Sequence, residues 1–97
     1  MKMLAVTRER TLRAREIIAA QTLSWENVEL KIRHAAGAGA VEVMIQPDVP
    51  TNIRDTAAGQ SMFGKLRRYG FGVRWERLGL TAGHMEWFAL VIDWRER

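Results

Sequence analysis

Apolar residues recur along this chain with two different periods, and the elements change where the period changes. Between Thr7 and Ala36 the spacing is helical: Leu12, Ile17, Ile18 and Leu23 gather on one side, then Trp25, Val28, Ile32 and Ala36 on another. Ser24 stands just before Trp25, with Asn27 and Glu29 following, so a capping hydroxyl in mid-run predicts two helices and not one rod. The stretch Gly37 to Ala40, "GAGA", ends the second helix, because glycine readily takes the left-handed turn of a C-terminal cap. In "VEVMIQ" the period falls to two: Val41, Val43 and Ile45 alternate with Glu42, Met44 and Gln46, and Pro47 and Pro50 close the strand.

A further helix is predicted from about Asn52 to Tyr69, with Ile53, Ala57, Met62, Phe63 and Leu66 as its apolar side and Asp55 at its N-terminus, although Gly59 and Gly64 work against it. Gly70 stops it. Phe71, Val73 and Trp75 then share one face of a second strand, "GLTAGH" makes a turn, and "MEWFALVIDW" follows as a third. That last strand is apolar on both faces: Phe88, Leu90, Ile92 and Trp94 on one, Trp87, Ala89 and Val91 on the other. A run of that kind belongs in the middle of a sheet. The expectation is one α+β domain spanning residues 1–97, with helices packed on a three-stranded mixed sheet, in the order α(α)βαββ. Strand order 1-3-2 follows, the first and second strands running parallel to each other through a right-handed crossover and antiparallel to the third between them.

Composition narrows the chemistry. The chain of 97 residues is 47% hydrophobic and 27% charged, the makeup of a folded globular domain, and too short for the extended sheet of a nucleotide-hydrolysing enzyme. It has no cysteine, which excludes disulfides, thiolate zinc sites and thiol catalysis. No apolar run approaches the ~18 residues of a membrane span, and Glu9 and Glu16 interrupt the Arg-rich start where a transit peptide would avoid acid, so a soluble cytoplasmic protein is expected. No membrane partner is expected.

"GQSMFGKL", Gly59 to Leu66, meets most of the phosphate-loop pattern G-x-x-x-x-G-K-[ST]. Leu66 has no hydroxyl to hold a metal ion, the preceding strand ends a dozen residues too early, and Gly70 cuts short any helix after Lys65. A helix containing two glycines accounts for the segment. His34 and His84 are isolated, without the spaced carboxylates that a metal site or an oriented general base needs. No catalytic, cofactor or metal residue is assigned. Asp93 stands out among the apolar residues of the last strand, on the side of Trp87 and Val91.

A net charge of +4 favours anionic partners. Arg67, Arg68, Arg74 and Arg77 surround the second strand, with Tyr69 and Trp75 nearby, and form a candidate nucleic-acid contact; Arg8, Arg10, Arg13 and Arg15 crowd the first helix. Glu9, Glu16, Glu76 and Glu86 dilute these clusters, and no recognition-helix or aromatic RNA-binding signature accompanies them. If the helices cover one face of the sheet, the other presents Met44, Trp87, Ala89 and Val91 among Glu42, Gln46, Arg74 and Glu76. Either that face is an interface, rich in the Trp, Met and Arg that interfaces favour, or the N-terminal helix folds over it to make an α/β/α sandwich.

"IRHAAGAGAVEVMI", "LRRYGFGVRW" and "FALVIDW" together resemble elements of small αβαββ proteins of tailed bacteriophages, over about Val28 to Trp94. The resemblance implies a virion-associated or accessory protein that acts by assembly, in the host cytoplasm and then in the particle, without cofactor or catalytic residues. The leading Arg-rich segment lies outside it. The expected partners are other protein subunits, identical or not, with Met44, Trp87 and Val91 as interface residues and Arg13 and Arg15 as charged helpers; a basic nucleic-acid-binding module is the alternative.

Overall fold

A computed structural model describes residues 2–96, in the order α1 (Lys2–Thr22), α2 (Trp25–Gly37), β1 (Glu42–Ile45), α3 (Ala57–Arg68), β2 (Gly72–Leu80) and β3 (Glu86–Asp93). The break between the first two helices sits where the capping residue is. Ser24 is extended (φ −62°, ψ 144°), its hydroxyl accepts from the Asn27 amide at 3.2 Å, and the Asn27 side chain donates back to the Thr22 carbonyl at 2.7 Å.

α2 and α3 end alike. After α2, Gly39 (φ 84°) donates to the Ala36 carbonyl and Ala40 to that of Ala35; after α3, Gly70 (φ 94°) donates to Arg67 and Phe71 to Leu66. Both are paired-amide caps of the Schellman type, in which only a residue without Cβ takes the left-handed turn at no steric cost. Each glycine hands the chain to a strand.

The sheet order is β1-β3-β2, as expected, and β3 is antiparallel to both neighbours. The expectation of a mixed sheet is therefore corrected: the sheet is antiparallel throughout. β1 and β2 do run the same way, but β3 lies between them and they share no ladder, so no parallel pair is hydrogen-bonded. Apolar residues on both faces identify β3 as central, and Phe88 through Asp93 are all buried.

One core lies between the helices and one face of the sheet. Ala19 and Leu23 of the first helix region, Val28, Ile45, Ile53, Met62, Leu66, Leu90 and Ile92 form the buried cluster, with Val43, Val73, Trp75 and Phe63 packed against it. Phe63 stacks on Trp75 at 6.0 Å between centroids, and Phe71 meets Trp94 edge-on at 6.4 Å. α1 packs against α3 and α2, in the helical layer. It does not lie over the other face of the sheet, so the architecture is a two-layer α/β and not a sandwich.

α3 starts later than the pattern predicted. Residues 51–56 form a turn with Thr51, Asn52, Ile53 and Thr56 buried, in which Asn52 Oδ1 accepts from the Asp55 amide at 3.2 Å and the Thr56 hydroxyl both donates to the Ile53 carbonyl (2.6 Å) and accepts from the Gly59 amide (3.0 Å). Ile53 thus enters the core from a loop. Asx and hydroxyl side chains offer the backbone an alternative to helix here, which hydrophobic spacing does not register.

Candidate interaction surfaces

Two surfaces stand out once the core is accounted for: the sheet face that carries no helix, and the N-terminal part of α1. On the open face, register places Met44, Val91 and Arg74 in one row across the three strands, Glu76 beside Ala89, and Trp87 beside Gly79. The sequence grouped Met44, Trp87 and Val91 as interface residues, and they do share this face. Their exposure differs: Met44 is 45% exposed and Val91 only 2%. Val91 is on the central strand and Met44 on an edge; Glu42 on β1 reaches across β3 to Arg74 on β2 at 3.7 Å and also pairs with Arg95 at 3.3 Å. Val91 lies beneath the surface of this face; Met44 and the half-buried Trp87 are the apolar side chains on it that reach solvent.

Arg13 and Arg15 lie elsewhere, on α1 in the helical layer. Arg13 is exposed and pairs with Glu9 one turn away at 3.3 Å, whereas Arg15 is half-buried and contacts the Met85 sulfur in the hairpin turn. Glu16 reaches the N-terminus of α3, where its carboxylate accepts from the Ala57 amide at 2.8 Å, a favourable place for a negative charge. Ala19, Leu23, Arg15 and Glu16 together anchor the C-terminal third of α1 to the body.

The rest of α1 has no such anchor. Residues 2–14 are exposed all round, and the molecule measures 53 × 23 × 21 Å. Its radius of gyration is 14.8 Å, against ~12.5 Å for a compact chain of this size. The excess is the arm, ~20 Å of helix at 1.5 Å per residue. Leu12 and Ile17, expected on a buried stripe, are 59% and 53% exposed, and Met3, Leu4 and Val6 also face outward. Helical spacing showed which residues align but not how far the body extends beneath them. α1 begins at Lys2 and not at Thr7, so Met3, Leu4 and Val6 belong to it; their apolar character just before the Arg-rich stretch is the signal for this in the sequence.

The four arginines of the candidate nucleic-acid contact do not form one surface. Arg67 and Arg68 are exposed in the last turn of α3, Arg74 is on the open sheet face with Glu42, and Arg77 is on the helical side, paired with Glu86 at 3.0 Å. The phosphate-loop look-alike is part of α3. Gly59 lies in its first turn against the Ile53 carbonyl, and Lys65 Nζ sits over the Trp25 ring at 4.3 Å. His34 is exposed at the end of α2, and His84 takes a left-handed conformation (φ 61°) in the β2–β3 turn.

Among the described residues no helix is long and apolar enough to cross a membrane, and no three His, Asp or Glu side chains gather as a metal-ligand group. Comparisons with protein-family models, with curated proteins and with solved structures found no match.

Proposed function

We propose that this protein is a non-enzymatic structural component that works through protein–protein assembly, with the α1 arm as a principal contact. The observation that carries this reading is the arm itself. Isolated helices of fewer than ~12–15 residues are marginal in water, and this one has no acidic residue in its first turn to favour it. What braces it is local: the Arg13–Glu9 pair and the Thr7 and Thr11 hydroxyls bonded to carbonyls one turn back. Met3, Leu4, Val6 and Leu12 would gain most from a partner's surface, and Met and Arg are residues that interfaces concentrate. The phage setting rests on the resemblance of about residues 28–94 to small tailed-phage proteins, which implies a virion or accessory component.

A basic nucleic-acid module has less behind it, since Arg13, Arg74 and Arg77 already face carboxylates. Light scattering on the eluting protein, together with amide exchange over residues 2–14, tests the reading. An oligomer with a protected arm is expected, and Leu12→Asp, at an exposed position, should dissociate it to a monomer with the far-ultraviolet circular dichroism of the folded chain. A monomer whose arm exchanges freely and which carries nucleic acid released by salt would refute it.

A further inference from the structure

The open side of β2 is the strongest remaining feature. β2 is nine residues long and is bonded on one side only, by β3. Among the described residues, its backbone groups make no backbone hydrogen bond outside that ladder. A long edge with free amides and carbonyls is a template for another strand. β1, the other edge, has only four residues.

We propose that β2 pairs antiparallel with β2 of a second copy, about a two-fold axis through Trp75, to make a continuous six-stranded sheet. The register follows from the sequence of the strand. An axis perpendicular to the sheet keeps each face continuous, and opposed residues must lie on the same face, so the axis passes through a residue and not between two. Before the irregularity between Arg77 and Gly79, the choices are few. Centring on Arg74, Glu76 or Arg77 sets a like charge against itself, which is unfavourable across a ladder. Centring on Val73 opposes Gly72 to Arg74 and Phe71 to Trp75, and leaves half of β2 overhanging.

Centring on Trp75 sets Arg74 opposite Glu76 of the second copy, and Glu76 opposite its Arg74. Both complementary pairs lie on the open face, where Val91 and Ala89 of β3 are the neighbours of Arg74 and Glu76. On the helical face the two Trp75 rings meet, each backed by the Phe63 ring of its own copy. The partner is therefore a second copy of this chain, selected by charge complementarity that other symmetric registers lack. This pairing rests on the assembly reading and adds a contact separate from the arm.

Sedimentation and light scattering of the full chain at several concentrations test it. The wild type is expected to show a species of twice the 11.1 kDa chain mass. Arg74→Glu or Glu76→Arg alone turns two favourable pairs into two repulsive ones, and each should weaken dimerisation at least about tenfold. The double variant Arg74→Glu/Glu76→Arg restores opposite charges and should return to within about threefold of wild type. It also keeps the loss of the Arg74–Glu42 pair, so recovery cannot come from repairing the monomer. A monomer at every concentration overturns the pairing. So does an oligomer indifferent to both single reversals; if Leu12→Asp then dissociates that oligomer, the assembly reading stands and only the β2 pairing falls.

Discussion

Gly59→Ala and Gly64→Ala make the same change twice in one helix, and the structure gives them opposite signs. Replacing glycine by alanine in a helix gains up to ~1 kcal/mol from backbone entropy and propensity. At Gly64 nothing opposes that gain. The nearest atom to an added methyl is Arg68 Nη1 at 3.4 Å, the end of a flexible side chain. At Gly59 the methyl would overlap the Ile53 carbonyl oxygen, with Thr56 Oγ1 at 3.0 Å and the Arg54 carbonyl at 3.1 Å. Backbone cannot swing aside as a side chain does, so the turn at 53–56 must move, and overpacking of this kind costs ~1–3 kcal/mol. The same movement strains the Thr56 cap, which bonds both the Ile53 carbonyl and the Gly59 amide and whose loss costs ~1–2 kcal/mol.

The balance is a net loss of about 2 kcal/mol for Gly59→Ala. For a domain of this length that lowers the melting temperature by roughly 8–16 °C, whereas Gly64→Ala should raise it by roughly 4 °C. Thermal unfolding followed by circular dichroism reads both. If Gly59→Ala melts at or above the wild type, the close approach of α3 to the Ile53 carbonyl is refuted, and with it the packing role of the first glycine in "GQSMFGKL".

Thr56→Val should cost about 1–2 kcal/mol in urea unfolding, with Thr56→Ser recovering most of it, since the hydroxyl and not the methyl makes both bonds; equal losses in the two variants would show otherwise. On the open face, Val91→Asp should destabilise by about 3 kcal/mol or more by burying a charge, while Met44→Thr, on the same face but half exposed, should change stability by only about 0.5 kcal/mol. Similar losses at both sites would mean the face is uniformly covered. Asp55 is held below the ordinary carboxylate range by its hydrogen bond from Arg54, then by that from Asn52, with burial opposing and the Arg54 and Arg15 charges assisting. Its folded pKa is depressed, so its contribution is complete above the unfolded value, about 4, and is lost as pH falls through the folded one. Asp55→Asn should flatten that acid limb of the stability profile; an unchanged limb would assign the acid sensitivity to other groups.

Local rules carried much of the fold. The helix break at Ser24, the glycine stops at Gly39 and Gly70 and the central position of β3 were all legible, because each depends on a cap, a left-handed residue or a periodicity confined to a few neighbouring positions. The 1-3-2 order followed from the both-faced apolar run. Its description as mixed did not survive: β1 and β2 run the same way, but β3 lies between them and is antiparallel to both, so no parallel pair is bonded.

The candidate surfaces were legible only in part. Placing Met44, Trp87 and Val91 on one face needed no more than alternation, but alternation does not tell that Val91, on the central strand, is buried while Met44, on the edge strand β1, stays exposed. Ile53 reached the core from a turn held by Asn52 and Thr56, where side-chain hydrogen bonds outweighed helical spacing. By itself the sequence determined which residues share a face, because that depends on backbone geometry over a few residues. Only the tertiary structure decided which faces meet other elements: α1 is longer than the body it packs on, so the periodicity that buries Ala19 leaves Leu12 in solvent.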